Sequence, residues 1–391
     1  MKTFNAFLAE NAHLEHAEDF IINSGVKGTN ELLNYFNELL NSLSGKTEQK
    51  HNISLKVDGA PAVFCGTDPA DGKFFVATKG LFAKTPTMYK NPSEVPEGDL
   101  GKKLAAALKY LPELGITGIV SGDFMYTHDE LKSVDGNVQF HPNTIVYSVP
   151  EKSALGKEIL KSKIGVCFHT RWEGEIGSLT AKMDPSLTTS LKHSNNVWVT
   201  NLYIKDISGT ATLTAKQTKE IKQLLAKIKS ISESIPPAVL NEISNNKGLL
   251  VLVKQFQNSH IKVGGSISDQ HKYVEDMVDW LVNKLNEKNK SDKGLEERST
   301  LKYFVDHKKA DIAKVFEMQS LVVLVKKMFL EKLNAISGIK TFIKTPSGFR
   351  VTGHEGFVVS DHIGGNAVKL VDRIEFSRAN FSTDTIRGWQ K

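Results

Sequence analysis

The stretch SLKVDGAPAVF (residues 54–64) sets Lys56 just ahead of an Asp-Gly turn between two apolar runs. The pattern reads as two strands joined at Asp58-Gly59. A lysine attacks electrophiles only when unprotonated, and a desolvated setting beside another cation favours the neutral amine. Lys56, between Leu55 and Val57, has that local setting. Asp58 adds a carboxylate two positions on, able to orient the amine or a metal-bound water.

Working outward, the chain has 391 residues, which suits two or three domains. Hydrophobic residues make up 40% and charged residues 24%, the balance of a soluble globular protein and not of a disordered one. Cys65 and Cys167 are the only cysteines, so there is no disulfide framework and no paired-cysteine metal knuckle. A reducing compartment is expected. The N-terminus mixes acids and histidines into its apolar positions, unlike a signal peptide. GLLVLV and SLVVLV, the most apolar runs, are too short to span a bilayer, and a cytoplasmic location is expected.

Periodicity divides the chain. TNELLNYFNELLNSL carries Leu32, Leu33, Phe36, Leu39, Leu40 and Leu43 at helical spacing, with Thr29 as N-cap. From Asn52 the texture changes to short apolar stretches bounded by Gly, Pro and Asp, the strands of a mostly antiparallel sheet with one helix around residues 102–110. Helical period returns after Thr214, on Ile221, Leu224, Leu225 and Ile228, and again on Val274, Met277, Val278 and Leu281. NEKNKSDKGLEE reads as an exposed connector. Strand texture resumes in KTFIKTPSGFRVTGHEGFVVSD, with Pro346-Ser347-Gly348 as a turn, and AVKLVDRIEF closes it. The expected divisions are 1–50, a helical leader; 51–213, the first part of a sheet core; 214–340, an inserted basic helical domain; and 341–391, the rest of the core.

The formal net charge is +6, and residues 214–345 hold 23 Lys+Arg against 15 Asp+Glu. This excess fits a polyanionic partner or a solvated helical surface equally well.

KVDGAPA resembles the nucleophile motif of the covalent nucleotidyltransferases, the superfamily of ATP-dependent DNA ligases, RNA ligases and mRNA capping enzymes, whose K-x-D-G lysine takes up the nucleotide. Further motifs follow in the family's order. Thr78-Lys79-Gly80 looks like its short basic motif. Gly122-Asp123-Phe124-Met125 resembles the motif whose acid meets the ribose, and Phe168 in GVCFHT the aromatic that stacks on the base. Glu355-Gly356-Phe357-Val358 matches E-G-x-V, and Val368-Lys369-Leu370 resembles the final lysine motif. The resemblance covers about residues 52–200 and 342–381. MKTFNAFLAE, with HLEHAEDF behind it, also looks like proteins of large tailed phages.

The resemblance implies an α+β fold: an ATP-grasp-like mixed antiparallel sheet core with a helical leader, a large helical insertion and no C-terminal OB-fold. It implies Lys56 as catalytic nucleophile, with Leu55, Asp58, Gly59, Lys79, Asp123, Phe168, Glu355 and Lys369 around the nucleotide. ATP and magnesium are the implied cofactors, with Glu355 and Asp58 as metal ligands, and RNA or DNA ends the partners. Two departures bear on the substrate. Pro61 stands where many DNA ligases and capping enzymes carry arginine, a feature RNA ligases often lack. Ala367 or Val371 replaces one of the two lysines usual in the final motif. The expected activity is therefore an RNA ligase of phage type. The alternatives are a DNA nick ligase, or a nucleic-acid-binding protein that keeps the scaffold without turnover.

Overall fold

A computed structural model describes residues 15–45, 51–184, 187–199, 203–204, 212–265, 267–286, 292–334, 340–345, 348–352, 354–361, 367–376 and 385. The first half runs β1 (Glu15–His16), α1 (Phe20–Leu43), β2 (His51–Lys56), β3 (Ala62–Thr67), β4 (Phe74–Ala77), α2 (Asp99–Tyr110), β5 (Ile119–Thr127), β6 (Lys132–Val134), β7 (Asn137–Phe140) and β8 (Ile145–Pro150). Next come α3 (Ala154–Lys161), β9 (Ile164–Glu173), β10 (Thr180–Met183), β11 (Val197–Val199) and β12 (Tyr203–Ile204). Helices α4 (Ala215–Glu233), α5 (Pro237–Asn245), α6 (Lys247–Lys262), α7 (Gln270–Asn286) and α8 (Asp292–Asn334) follow. β13 (Lys340–Thr345), β14 (Gly348–Thr352), β15 (Gly356–Asp361) and β16 (Ala367–Val371) complete the order.

The strands form three sheets, in the orders β1-β16-β15-β2-β12, β10-β9-β5-β3-β4 with β11 also beside β9, and β14-β13-β8-β7-β6. Pairing is antiparallel except for β1 with β16 and β11 with β9. The fold is thus mixed, antiparallel sheets with helices. The first and third sheets each join strands from before and after the helical block: β2 pairs with β15, and β8 with β13.

Local chemistry sets the helix starts. Thr214 and Gln217 make a capping box for α4, and the Asn246 side chain accepts from Gly248 and Leu249 at the start of α6. Thr29 is not an N-cap. The helix begins at Phe20 and continues through a break at Gly25 (φ 56°), and buried Thr29 turns its hydroxyl back onto the Gly25 carbonyl at 2.9 Å. Glycine tolerates that left-handed position, so one element spans what the sequence reads as a boundary. Residues 292–297 of the supposed connector are the first turns of α8; residues 287–291, like 346, 347 and 1–14, lie outside the described residues.

α1 and the inserted helices share one apolar core. Phe36, Ile221, Leu240, Phe256, Phe316 and Phe329 belong to it, and it continues onto the first sheet through Ile53, Phe357, Val359 and Leu370. Burial of this size is the main favourable term holding leader, insertion and sheet together. No helix among the described residues is long and apolar enough to cross a membrane.

A buried polar network fastens the same junction. Lys326 of α8, 1% exposed, donates to Glu18 at 2.6 Å. Arg373 pairs with Asp19 at 2.9 Å, and Gln319 donates to the Glu18 carbonyl at 3.0 Å. Glu18 stays below the usual carboxylate range despite burial, because Lys326, His16 and Arg373 favour its charge. Removing one partner of a sealed pair strands the other charge. Lys326→Met is expected to lower unfolding free energy by about 3–5 kcal/mol, read from the urea midpoint.

Candidate functional site

Lys56 closes β2, where it pairs in register with Gly356 of β15. That pairing sets Lys56 Nζ directly against Glu355 Oε2, joining residues 299 positions apart. The two side chains are 26% and 15% exposed, so the pair is mostly desolvated yet reachable. Alternation puts Leu55 on the opposite face, packed between the helical core and the core under the third sheet. Val358 pairs with both Ser54 and Lys369, which places Lys369 two positions along from Lys56 on the same face. Burial, then the charge of Lys56, draws Lys369 below the ordinary lysine range.

The Asp-Gly turn is held from below. Asp58 accepts from Asn143 Nδ2 at 2.8 Å and from the Thr144 and Ile145 amides at 2.6 and 3.0 Å, while its own amide donates to the Tyr147 hydroxyl at 2.7 Å. Gly59 then passes so close to β5 that a Cβ there would lie 2.4 Å from that of Asp123. Only glycine permits this approach. The Ala60 amide donates to the Phe124 carbonyl at 3.0 Å, tying the loop to the strand that carries Asp123.

Two acids in the cleft titrate near neutrality. Burial lifts Glu355 to about 7, with repulsion from Asp58 and Asp123 opposing the pull of Lys56. Burial also lifts Asp123 to about 7, against the attraction of Lys56 and exposed Lys79. Acids so placed fit a hydrated magnesium ion, which takes one or two carboxylates and fills its octahedron with water and phosphate oxygens. Glu355 and Asp123 suit that role. No group of three or more His, Cys, Asp or Glu side chains is placed to hold a metal among the described residues.

The structure therefore brings Lys56, Glu355, Asp123 and Lys369 into one partly buried charged cluster, with Asp58 and Gly59 fixing the turn beside it and Lys79 acting on it through its charge. Three expected roles need correction. Asp58 does not suit a metal ligand, because three protein donors already occupy its carboxylate and 8% of the residue is exposed. Leu55 offers a ligand little side chain, being packed between two cores. Phe168 cannot be a base platform: it is fully buried beside Val63, Leu104, Phe124 and Val166. The cause is a bulge in β9, where Ser121 pairs with Thr170 but Gly122 with Phe168. The extra residue is His169, which reaches the cleft instead, 3.8 Å from Asp123.

Lys103 was not legible either. From α2 it donates to the Ala60 carbonyl at 3.3 Å, pairs with Glu130 at 3.2 Å and lies 5.7 Å from the centre of the Phe124 ring. A cation thus reaches the loop after Lys56 from another element, although Pro61 supplies none. Within its helix Lys103 reads as an ordinary solvated lysine, and no local signal marks it.

Phe168→Ala is expected to destabilise the fold by about 3–5 kcal/mol, and Phe168→Leu by less than about 1.5, in urea denaturation. Asp58→Ala leaves two buried amides without an acceptor and is expected to lower stability by about 3 kcal/mol in the same assay.

No curated protein and no solved structure matches the chain. Residues 11–385 match the profile of a family of unknown function, DUF6267, and the chain belongs to that family.

Proposed function

We propose that this protein is an ATP-dependent polynucleotide ligase on a nucleotidyltransferase, ATP-grasp-like core, acting on RNA ends through a covalent adenylate at Lys56. The observation that carries the reading is the contact of Lys56 Nζ with Glu355 inside a cleft shared with Asp123 and Lys369. An amine held against a carboxylate has a proton acceptor in place before any substrate arrives.

Lys56 Nζ, its proton passed to Glu355, attacks the α-phosphorus of ATP. A P–N bond forms, the bond from that phosphorus to the β-bridging oxygen breaks, and pyrophosphate leaves. A 5'-phosphate oxygen of a nucleic-acid end then attacks the same phosphorus, restoring the lysine and leaving AMP in pyrophosphate linkage to the end. Finally a 3'-hydroxyl attacks the end's own phosphorus and AMP departs. Phosphoryl transfer of this kind depends on positioning and charge neutralisation more than on covalent assistance. Lys369 is placed to meet phosphate oxygens beside Lys56, and Lys79 adds positive potential near Asp123. A magnesium ion held by Asp123 would supply further neutralisation of the phosphates.

The decisive experiment incubates the chain with α-labelled ATP and magnesium. Covalent label is expected on the wild type and none on Lys56→Ala; an unlabelled wild type, or equal label on both, overturns the proposal. RNA and DNA nicks offered to the labelled protein separate an RNA ligase from a DNA ligase. Retained nucleic-acid binding without label identifies a scaffold that has lost turnover.

The pH dependence has a definite sign. Because Glu355 is raised to about 7, it is protonated below that value and cannot take the Lys56 proton. Labelling is expected to rise with pH through about 7. Glu355→Gln should slow labelling by about 10²–10⁴-fold above pH 7, measured as initial rates across the pH range.

A further inference from the structure

A groove of about 480 Å³ lies at the margin of the second sheet and shares no residue with the Lys56 cleft. Lys157 and Lys161, one turn apart on α3, line it together with Lys192, Thr188 and nearly buried Trp198, and Glu158 is the one acid among its lining residues. Lys157, Lys161 and Lys192 are exposed and form no ion pair among the described residues. Among the described residues Thr188 Oγ1 is buried with no hydrogen-bond partner.

The helical insertion is different. Several of its lysines are answered by acids on the same or a facing helix: Lys229 by Glu233, Lys272 by Asp276, Lys302 by Asp306, and Lys227 by Glu317. Such pairing is the mark of a solvated helical surface and weakens the local field at those lysines. The groove differs in gathering three unpaired lysines on one concave surface.

We propose that this groove seats the sugar–phosphate backbone of the single nucleic-acid strand whose end is joined. Lys157 and Lys161 stand about 6 Å apart along the helix axis, a file of cations suited to successive phosphates and not to one compact anion. The groove is also near the cleft. Trp198 pairs with Gly165, and Asp123 with Cys167, so two residues along β9, about 7 Å, and two strand spacings across it, about 10 Å, separate the two registers. This inference builds on the ligase reading, and it is tested apart from it: label on Lys56 reports the cleft, and strand binding reports the groove.

The test measures fluorescence anisotropy of a labelled 12-nucleotide RNA or DNA strand against the full chain at several salt concentrations. Three proteins are compared: wild type, Lys157→Ala/Lys161→Ala/Lys192→Ala, and Lys229→Ala/Lys272→Ala/Lys302→Ala. The groove variant is expected to bind at least about tenfold more weakly at 0.1 M salt, and to flatten the log–log salt slope by about 2. Its Lys56 labelling and thermal midpoint should match the wild type, and the insertion variant should bind as the wild type does. Equal binding by the groove variant and wild type overturns the proposal, as does an equal loss in the insertion variant. Absence of strand binding by the wild type, or competition by inorganic polyphosphate but not by unlabelled strand, overturns it too.

Discussion

The ladder between β2 and β15 is the constraint on which the rest of the molecule depends. It forces residue 356 back beside residue 56 across the whole helical block, and so fixes where the block must start and stop. Because a strand has two faces, the ladder does two jobs. Ile53, Phe357 and Val359 face the helices and enter their core, while Lys56, Val358 and Lys369 face away from it. A slip of one residue would exchange these sets, putting a lysine into the helical core and a row of apolar side chains into the cleft. The large apolar area committed on one face is thus what holds the charged face in register.

Buried charge occurs twice, with different character. Between α8 and the first sheet, Lys326, Glu18, Arg373 and Asp19 answer one another, and the glutamines complete the network. Such a cluster fastens a junction, with Lys326 and Glu18 almost wholly buried. In the cleft, burial and repulsion from Asp58 outweigh Lys56 enough to bring Glu355 and Asp123 to about 7. Burial also raises Asp19 to about 6 beside Arg373, so what sets the Lys56 site apart is two raised acids around one solvent-reachable lysine, a pattern associated with chemistry.

Much of the cleft was legible because it is written in backbone chemistry. Lys56, Asp58, Gly59 and Glu355 sit at turns and strand ends whose residue types are locally specified, and the return of strand texture after residue 340 showed that the sheets were split. What was not legible came from tertiary contacts. The bulge at His169 reverses the face on which an aromatic residue falls, and no local pattern announces it. Gly25 lets a helix continue where Thr29 looks like a beginning. A charge count along the insertion does not say which lysines find acids one turn away, and Lys103 gains its place only when α2 packs beside the loop. In each case the local preference is real, and a contact distant in sequence decides the outcome.

The single lysine of the last strand follows from the same geometry. Val371 stands directly across β15 from Lys56, since both pair with Gly356, and it is 4% exposed within the core under the third sheet. A lysine there would bury an ammonium group among Val57, Tyr147 and Phe376, at a desolvation cost that packing alone cannot offset. Ala367 pairs with Ser360, opposite Asn52 and four residues up the ladder from Lys56, about 13 Å away. Neither position can bring a second cation to Lys56. On the proposed chemistry, any further neutralisation of phosphate must come from outside β16, from Lys79 after β4 or Lys103 on α2, elements whose approach is set by how the second sheet packs. Positive charge around Lys56 is therefore distributed among strands and helix, with Lys369 as its close lysine neighbour on the same sheet.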